Sequence, residues 1–268
     1  MHTALTNDPS GLTRYGWNTD VADAFAPYAE AGLLPARIVR VDRGRCDAVT
    51  PHGTLRADIA PVATHDPARY LCTGDWAAVG TDAKGEYQVQ ALLPRRTAFL
   101  RGVSSKRSQG QVLAANADRA LIAVSLAVEL DLGRIERFTT LAWSGGTEPL
   151  VVLTKADLVP EPETLSHLLA DTAASAPGAR VLCVSSLTGQ GLQELRTVVA
   201  DGTTVLVGQS GAGKSTLANV LLGEERQQVR AARDSDGKGR HTTTTRDLLP
   251  LPGGGVLIDT PGLRGVAL

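Results

Sequence analysis

The spacing of hydrophobic positions along the chain changes near residue 95. Before that point, short runs of alternating apolar and polar residues are separated by turn-forming residues such as Asp82-Ala-Lys-Gly85. Beyond residue 119, continuous apolar runs alternate with segments whose apolar residues recur at helical spacing. The first pattern is typical of a small barrel, and the second is typical of a sheet covered by helices.

Five short strands are predicted in the first pattern, with one longer connection between the third and the fourth. They cover residues 36–41, 46–50, 54–59, 75–79 and 87–93. This arrangement favours a Greek-key barrel of the OB type. Such barrels often bind oligonucleotides, but a purely structural barrel stays open because a fold alone does not establish a function.

The second pattern predicts six strands and four helices. The strands are 120–126, 149–153, 181–185, 203–207, 247–251 and 255–259, and the helices lie near 132–143, 162–174, 191–200 and 214–222. Pro250 indicates that the fifth of these strands lies at an edge. We therefore predict an N-terminal arm and short helix (1–34), an OB-type barrel (35–95), a basic linker (96–119) and an α/β domain (120–268).

Two segments lie outside the predicted strands, one at the N-terminus and one after the barrel. Residues 1–18 lack periodicity, which predicts a mobile arm, and Asn18 or Thr19 is placed to cap the short helix that follows. Near the linker, a basic run contains no acidic residue between Pro94 and Ala117. A solvated linker and a contact with a nucleic-acid phosphate backbone both explain that run. Its members are Arg95, Arg96, Arg101, Lys106 and Arg107.

Composition narrows the class of protein only a little. A formal net charge of −1 over 268 residues provides no global argument for nucleic-acid binding. The N-terminus lacks the pattern of a secretory signal, and no apolar run approaches membrane-spanning length. We expect a cytoplasmic protein that does not enter the membrane. The three cysteines, Cys46, Cys72 and Cys183, are widely spaced in strand-like patterns, which predicts reduced residues in or near the core.

The most specific motif is a glycine-rich loop between the predicted strand 203–207 and the helix 214–222. It has the form G-x-x-x-x-G-K-[ST], whose main-chain N–H groups surround a phosphate chain at a helix N-terminus. Lys214 is predicted to reach the β- and γ-phosphates, and Ser215 to bind Mg²⁺. The predicted nucleotide-binding residues of this P-loop are Gly208, Gln209, Ser210, Gly211, Ala212, Gly213, Lys214, Ser215 and Thr216.

Two further loops are candidates for reading a guanine base, and both precede the P-loop in the chain. The first follows strand 149–153 and contains Thr154, Lys155, Ala156 and Asp157. The carboxylate of Asp157 can accept from the ring N1–H and the exocyclic amine of guanine, a donor pair that adenine lacks, while the Lys155 stem covers the base. The second loop, with Ser185 and Ser186, resembles the main-chain loop that contacts guanine O6.

The switch candidates follow the P-loop. Residues 241–246 contain four threonines, of which Thr243 is our predicted Mg²⁺ ligand and Thr242 the alternative. Asp259 would hold the metal through water. The Gly262 N–H would contact the γ-phosphate. Ras-like enzymes have a glutamine that orients the attacking water, but Leu263 occupies that place, so His241 is one candidate for the task. The predicted catalytic residues are His241, Thr243 and Gly262, and the predicted metal ligands are Ser215, Thr243 and Asp259.

Short matches such as K-x-D or D-x-x-G arise about once by chance in a chain of this length. Their placement is more informative, because each lies at the carboxyl end of an apolar strand, where open α/β sheets bind ligands. All the GTPase elements are present in a rotated order, which predicts a circularly permuted P-loop GTPase domain. A P-loop ATPase or small-molecule kinase, and a non-hydrolysing nucleotide-binding adaptor, are the alternatives.

The small barrel, together with Leu93–Arg96, Ala115–Asp118, the P-loop and the base and switch motifs, resembles the small ribosomal subunit biogenesis GTPases of the RsgA (YjeQ) family. The resemblance implies hydrolysis of GTP to GDP and phosphate with Mg²⁺, by a protein docked on 16S rRNA during late maturation of the 30S subunit. It also implies a low intrinsic rate that the 30S subunit stimulates. A monomer is expected.

Two features depart from the pattern of that family. Thr154 stands where the family usually has asparagine, a change we expect to be tolerated because threonine still offers a side-chain hydrogen bond. The family also carries a C-terminal zinc module built from cysteines and a histidine, whereas this sequence ends at Leu268 with no cysteine after Cys183. We therefore expect a truncated chain that lacks the zinc ligands.

Overall fold

The computed structural model describes residues 9–100, 112–223 and 246–259. Within these ranges, a closed barrel is followed by a two-stranded sheet and then by a six-stranded sheet with helices on both faces. The predicted fold, an OB-type barrel followed by an α/β domain, is confirmed.

The barrel is closed by antiparallel pairing between its first and fourth strands. Its strands are β1 (Leu34–Asp42), β2 (Arg45–Thr50), β3 (Gly53–Asp58), β4 (Trp76–Thr81) and β5 (Tyr87–Leu92), in the order β1-β2-β3-β5-β4. Small and β-branched side chains fill the interior, where Ile38, Ala57 and Val89 are fully buried. Such side chains suit the narrow interior of a five-stranded barrel.

The N-terminal segment differs from the prediction of a mobile arm. Residues Pro9–Tyr15 form a 3₁₀ helix, and Asn18 caps the helix α1 (Thr19–Glu30) by accepting a hydrogen bond from the Val21 N–H. Leu12 and Phe25 from these two helices pack with Trp76 on the outside of the barrel. A turn this short has no readable periodicity, so the sequence did not reveal that residues 9–18 are packed.

The predicted basic linker also contains regular structure. Strands β6 (Ala98–Leu100) and β7 (Val112–Ala115) pair antiparallel, and Phe99 is fully buried in the core of the α/β domain. The guanidinium groups of Arg95 and Arg96 form ion pairs with Asp75 and Asp118, respectively. Arg95 is largely buried in its pair, whereas the Arg96 side chain is 55% exposed. The other members of the basic run lie outside the described residues, so its phosphate-contact interpretation stays a prediction.

The six-stranded sheet has the order β10-β9-β8-β11-β13-β12. All neighbouring strands are parallel except β12, which pairs antiparallel with β13 at the edge of the sheet. The edge position predicted from Pro250 is thus confirmed. The strands are β8 (Arg119–Ser125), β9 (Glu148–Thr154), β10 (Arg180–Val184), β11 (Thr203–Gly208), β12 (Asp247–Pro250) and β13 (Val256–Asp259).

Helices cover both faces of this sheet, as the apolar runs of its parallel strands require. One face packs against α2 (Leu132–Ser144) and α3 (Pro162–Ser175), and the other packs against α4 (Leu192–Val198) and α5 (Lys214–Leu222). None of the described helices is both long enough and apolar enough to cross a membrane.

The cysteines agree with the prediction of reduced thiols in or near the core. Cys46 and Cys72 are buried, Cys183 is partly buried, and none forms a disulfide. Burial raises the pKa of the Cys46 thiol to about 12. The thiol is therefore protonated near neutral pH and behaves as a small apolar side chain.

A buried arginine joins the barrel to the α/β domain. Arg37 on β1 is 2% exposed, and its Nη2 donates to Thr203 Oγ1 at 3.2 Å and to the Asn116 carbonyl at 3.3 Å. Its guanidinium lies over the ring of Trp76, 4.8 Å from the ring centre. Burial lowers the pKa of Arg37 to about 10, an effect opposed by the carboxylates of Asp75 and Asp118. Arg37 therefore keeps its charge near neutral pH.

A second buried charge fixes the segment that leads into β4. The Asp75 carboxylate accepts from Arg95 Nε at 2.7 Å and Nη2 at 2.8 Å, and from the Cys72 N–H at 2.8 Å. Arg95 also donates to the Ala68 carbonyl at 2.7 Å. This bidentate ion pair holds residues 66–75 against the end of the barrel.

We predict that Asp75→Asn destabilises the protein by about 3–5 kcal/mol, because it leaves the Arg95 charge uncompensated in a buried place. Denaturant unfolding measures the change. The matched control is Arg45→Gln, which breaks the exposed pair with Glu86 and should cost less than about 1 kcal/mol. Equal losses in the two variants would contradict the prediction.

Candidate nucleotide-binding site

The candidate site lies at one edge of the six-stranded sheet. The strands β8, β9, β10, β11 and β13 run parallel, so their carboxyl ends meet at that edge. The chain passes from β8 through β9 to β10, and then returns to place β11 on the other side of β8. Ligands of open α/β sheets bind at such a topological switch point. The predicted P-loop follows β11 directly.

The first residue of the P-loop, Gly208, adopts a backbone conformation that requires glycine. Gly208 has φ of 137°, and a Cβ at this position would lie 2.4 Å from the Ala123 carbonyl oxygen. Only glycine fits this close approach between β11 and β8. Lys214 at the first turn of α5 folds back over the loop, where its Nζ donates to the Gly208 carbonyl at 2.8 Å and also to the Gln209 carbonyl.

The loop after β9 is tied directly to the P-loop. Thr154 Oγ1 donates to the Ala212 carbonyl at 2.9 Å, and Lys155 Nζ donates to the Gly211 carbonyl at 3.2 Å. Lys155 has a left-handed backbone, with φ of 61°, from which its side chain reaches over the P-loop. The two loops, which are about 55 residues apart in the chain, therefore form one surface.

The loop after β10 completes the proposed base site. Ser185 is fully buried, and its hydroxyl donates to Asp157 Oδ1. The same hydroxyl accepts from the main-chain N–H groups of Leu187 and Thr188 at 3.2 and 3.1 Å. These contacts fix the orientation of the Asp157 carboxylate. Ser186 lies next to this contact and is partly exposed.

The sequence did not predict the role of the Leu187 and Thr188 amides. Main-chain donors leave no side-chain pattern, so only the serine that they hold was recognisable. The sequence also did not indicate that Arg246 and Asp247, at the beginning of β12, contact the barrel. Those contacts depend on long-range packing, which local patterns do not encode.

A cavity of about 330 Å³ lies at the topological switch point beside the P-loop. Its walls are the end of β8, the first turns of α2, Lys155 and the outer part of the P-loop, residues 209–212. Apolar groups from Ile135 and Phe138 line one side, and Asp131 and Arg134 lie near its rim. A concave, largely apolar space with a few polar groups is typical of small-molecule sites.

Oxygen ligands suitable for Mg²⁺ lie on two neighbouring elements. Ser215 is exposed in the first turn of α5, and Asp259 is 3% exposed at the end of β13. Burial lowers the pKa of Lys214, and the Asp259 carboxylate opposes that shift. Asp259 pairs with Leu206 of β11, just before the P-loop begins at Gly208. A hydroxyl and a carboxylate are hard donors that fit Mg²⁺.

The remaining predicted site residues are not among those that the structure describes. The candidates His241, Thr243 and Gly262 lie outside the described residues. In residues 9–100, 112–223 and 246–259, no group of three or more His, Cys, Asp or Glu residues is placed to hold a metal ion.

The fold and this site define a P-loop GTPase in circularly permuted order. The family model for the RsgA GTPase matches residues 92–268, and the chain belongs to this family. The small ribosomal subunit biogenesis GTPase RsgA of Streptomyces coelicolor is 65% identical over 266 residues, which cover 99% of this chain and 72% of the relative. Family membership supports a GTP hydrolase over the ATPase, kinase and adaptor alternatives.

Two solved structures share the fold. YjeQ from Thermotoga maritima is 21% identical, with a TM-score of 0.61 over 88% of this chain and 77% of that protein. YloQ, described as a circularly permuted GTPase, is 19% identical, with a TM-score of 0.60 over 88% of this chain and 74% of the other. Both combine with the strand order above to confirm the permuted architecture.

The contact between Thr154 and the P-loop is directly testable. We predict that Thr154→Val lowers GTP affinity about fivefold to tenfold, because it leaves the buried Ala212 carbonyl without a donor. Thr154→Asn keeps a donor and should bind GTP nearly as well as the wild type. Titration with a fluorescent GTP analogue measures both variants. Equal affinity of the valine variant and the wild type would show that the contact is unimportant.

Proposed function

We propose that this protein hydrolyses GTP during late maturation of the small ribosomal subunit, while bound to 16S rRNA. The hydrogen bond from Thr154 to Ala212 is the observation that carries the proposal. It holds the loop with a guanine-reading pattern against a loop with a phosphate-binding pattern, so one nucleotide can span both. The relatives that share most of the chain are named as small ribosomal subunit biogenesis GTPases.

In this proposal, the loops after β9 and β10 bind the base. Asp157, oriented by Ser185, accepts from the two guanine donors, and the Lys155 stem covers the ring. Lys214 exchanges its contacts with the Gly208 and Gln209 carbonyls for phosphate oxygens. The residues assigned to nucleotide binding are those of the sequence prediction, namely Thr154–Asp157, Ser185, Ser186 and Gly208–Thr216.

The proposed metal ligands are Ser215 and Asp259, together with Thr243. A bound Mg²⁺ ion would neutralise charge that develops on the phosphate oxygens. Ser215 follows Lys214 at the beginning of α5, and Asp259 ends the strand that pairs with β11, so both lie on elements next to the P-loop. We assign His241 as a candidate to position the attacking water and the Gly262 N–H as a donor to the γ-phosphate.

The proposed partner is the 30S subunit, and the proposed location is the cytoplasm. Arg95 is held in a largely buried ion pair, so we propose that rRNA contacts come from exposed basic residues such as Arg96. We propose that the protein is a monomer. We also propose that its intrinsic rate of GTP hydrolysis is low, because Leu263 cannot orient water and the 30S subunit would supply or order the missing group.

The central test is GTP turnover of this 268-residue chain, alone and with purified 30S subunits. We expect slow phosphate release that rises at least about tenfold with 30S subunits, since supplied catalytic groups contribute factors of this size or larger. ATP should not be hydrolysed in either condition. GTP binding without any stimulation would contradict the ribosome-dependent part of the proposal.

Base recognition is tested by Asp157→Asn. We expect this variant to lose GTP affinity and to favour xanthosine triphosphate, because the 2-oxo group of xanthine requires a donor where guanine requires an acceptor. Competition between the two nucleotides measures the exchange of preference. Lys214→Ala is the control, since it should weaken both nucleotides alike. Unchanged guanine preference in the Asp157 variant would show that the base binds elsewhere.

A further inference from the structure

The barrel holds the beginning of strand β12. Thr73 is 3% exposed, and its Oγ1 donates to the Arg246 carbonyl at 2.8 Å. In the next position, Asp247 Oδ1 lies 3.7 Å from Arg40 Nε on β1. One partly buried hydrogen bond and one partly exposed ion pair therefore connect the barrel to two consecutive residues of the α/β domain.

Thr73 is well placed to hold another residue, because its own segment is fixed on several sides. Its carbonyl accepts from the Ala115 N–H at 3.1 Å, and the Gly74 carbonyl accepts from Asn116 Nδ2 at 3.0 Å. Gly74 has φ of 96°, and a Cβ there would lie 2.1 Å from the Ala115 carbonyl oxygen. Only glycine permits this approach. The Thr73 hydroxyl is thus presented from a rigid support.

Strand β12 carries this restraint to the nucleotide site. Asp247 pairs with Asp259 across the antiparallel ladder, so the two residues face the same side of the sheet. Asp259 ends β13, which pairs parallel with β11 and places Asp259 opposite Leu206, just before the P-loop begins at Gly208. Like charges in directly opposite positions repel each other. The ion pair between Arg40 and Asp247 offsets this repulsion.

We propose that Thr73 is a positioning residue for the nucleotide site. Its hydrogen bond to Arg246 sets the beginning of β12, and the pairing of β12 with β13 sets the position of the Asp259 carboxylate. The inference rests on the proposed GTPase function, and it gives the barrel a role beyond docking. By thermodynamic linkage, a ligand that shifts the Cys72–Asp75 segment of the barrel changes GTP affinity, and GTP changes the affinity for that ligand by the same factor.

The test compares Thr73→Val with Thr73→Ser in the full chain. The valine keeps the volume but loses the donor, whereas the serine keeps it. The matched control is Thr50→Val, because Thr50 is also 3% exposed and donates to a carbonyl, that of Gly53 at 2.9 Å, in a barrel turn. Affinities for GTP with Mg²⁺ and for GDP in EDTA are measured by titration, and amide hydrogen exchange is measured over residues 246–259.

We expect Thr73→Val to weaken GTP binding in the presence of Mg²⁺ about threefold to tenfold, the range that the loss of one hydrogen bond supports. GDP affinity in EDTA should not change, because a nucleotide without the metal and the γ-phosphate does not engage the Asp259 carboxylate. Exchange of the β12 amides should accelerate. Thr73→Ser should restore the wild-type values, and Thr50→Val should leave all of them unchanged.

The outcomes separate the inference from the proposed function. If the wild type binds GTP and Thr73→Val matches Thr50→Val in every measurement, the positioning role is wrong. A loss of GTP and GDP affinity by the same factor would also contradict it, since that indicates a general structural defect. If the wild type binds no GTP, the proposed function itself fails.

A second pair of variants applies if Thr73→Val does not fold. Arg40→Gln weakens the other contact to β12 at a side chain that is 30% exposed, and it should accelerate exchange of the β12 amides. Arg45→Gln is its control, because Arg45 pairs with Glu86 elsewhere on the barrel. Equal exchange of the β12 amides in these two variants would overturn the inference.

Discussion

The buried carboxylate of Asp75 is the constraint on which the junction between barrel and sheet depends. A charge in this position is costly unless it is fully compensated, and Arg95 and the Cys72 N–H provide that compensation. The resulting rigidity extends to Thr73 and Gly74. Their carbonyls accept from Ala115 at the end of β7 and from Asn116, and the Thr73 hydroxyl donates to the Arg246 carbonyl just before β12. The segment that closes the barrel is therefore also the one that attaches it to the α/β domain.

The barrel is attached to the sheet near both ends of its parallel strands. Arg37 contacts Thr203 at the amino end of β11, and Thr73 contacts Arg246 at the beginning of β12, near the carboxyl ends of the parallel strands. Since β11 leads into the P-loop and β12 pairs with the strand of Asp259, both contacts lie on elements that support the nucleotide site. A barrel attached only by a flexible linker would transmit nothing to that site.

Much of the fold was predictable because its signals are local. Every strand of the six-stranded sheet and of the barrel lies on a run of apolar or alternating residues, and the predicted helix 214–222 coincides with α5. The predicted loops lie together because parallel strands end at one edge, whatever the order of their connections. In contrast, Arg95 and Arg96 resembled part of a phosphate-binding run. Their ion-pair partners Asp75 and Asp118 lie 20 and 22 residues away in the chain, and the sequence does not show that they are adjacent in space.

The permuted order and the threonine at position 154 have a common physical explanation. The site is made by strand ends, so it requires that the loops meet and not that they follow one another in a given order. Contact between the loops then matters more than the identity of any one residue. At position 154, a buried hydroxyl on β9 donates to the Ala212 carbonyl at 2.9 Å, which is the single hydrogen bond that connects the two loops from this residue.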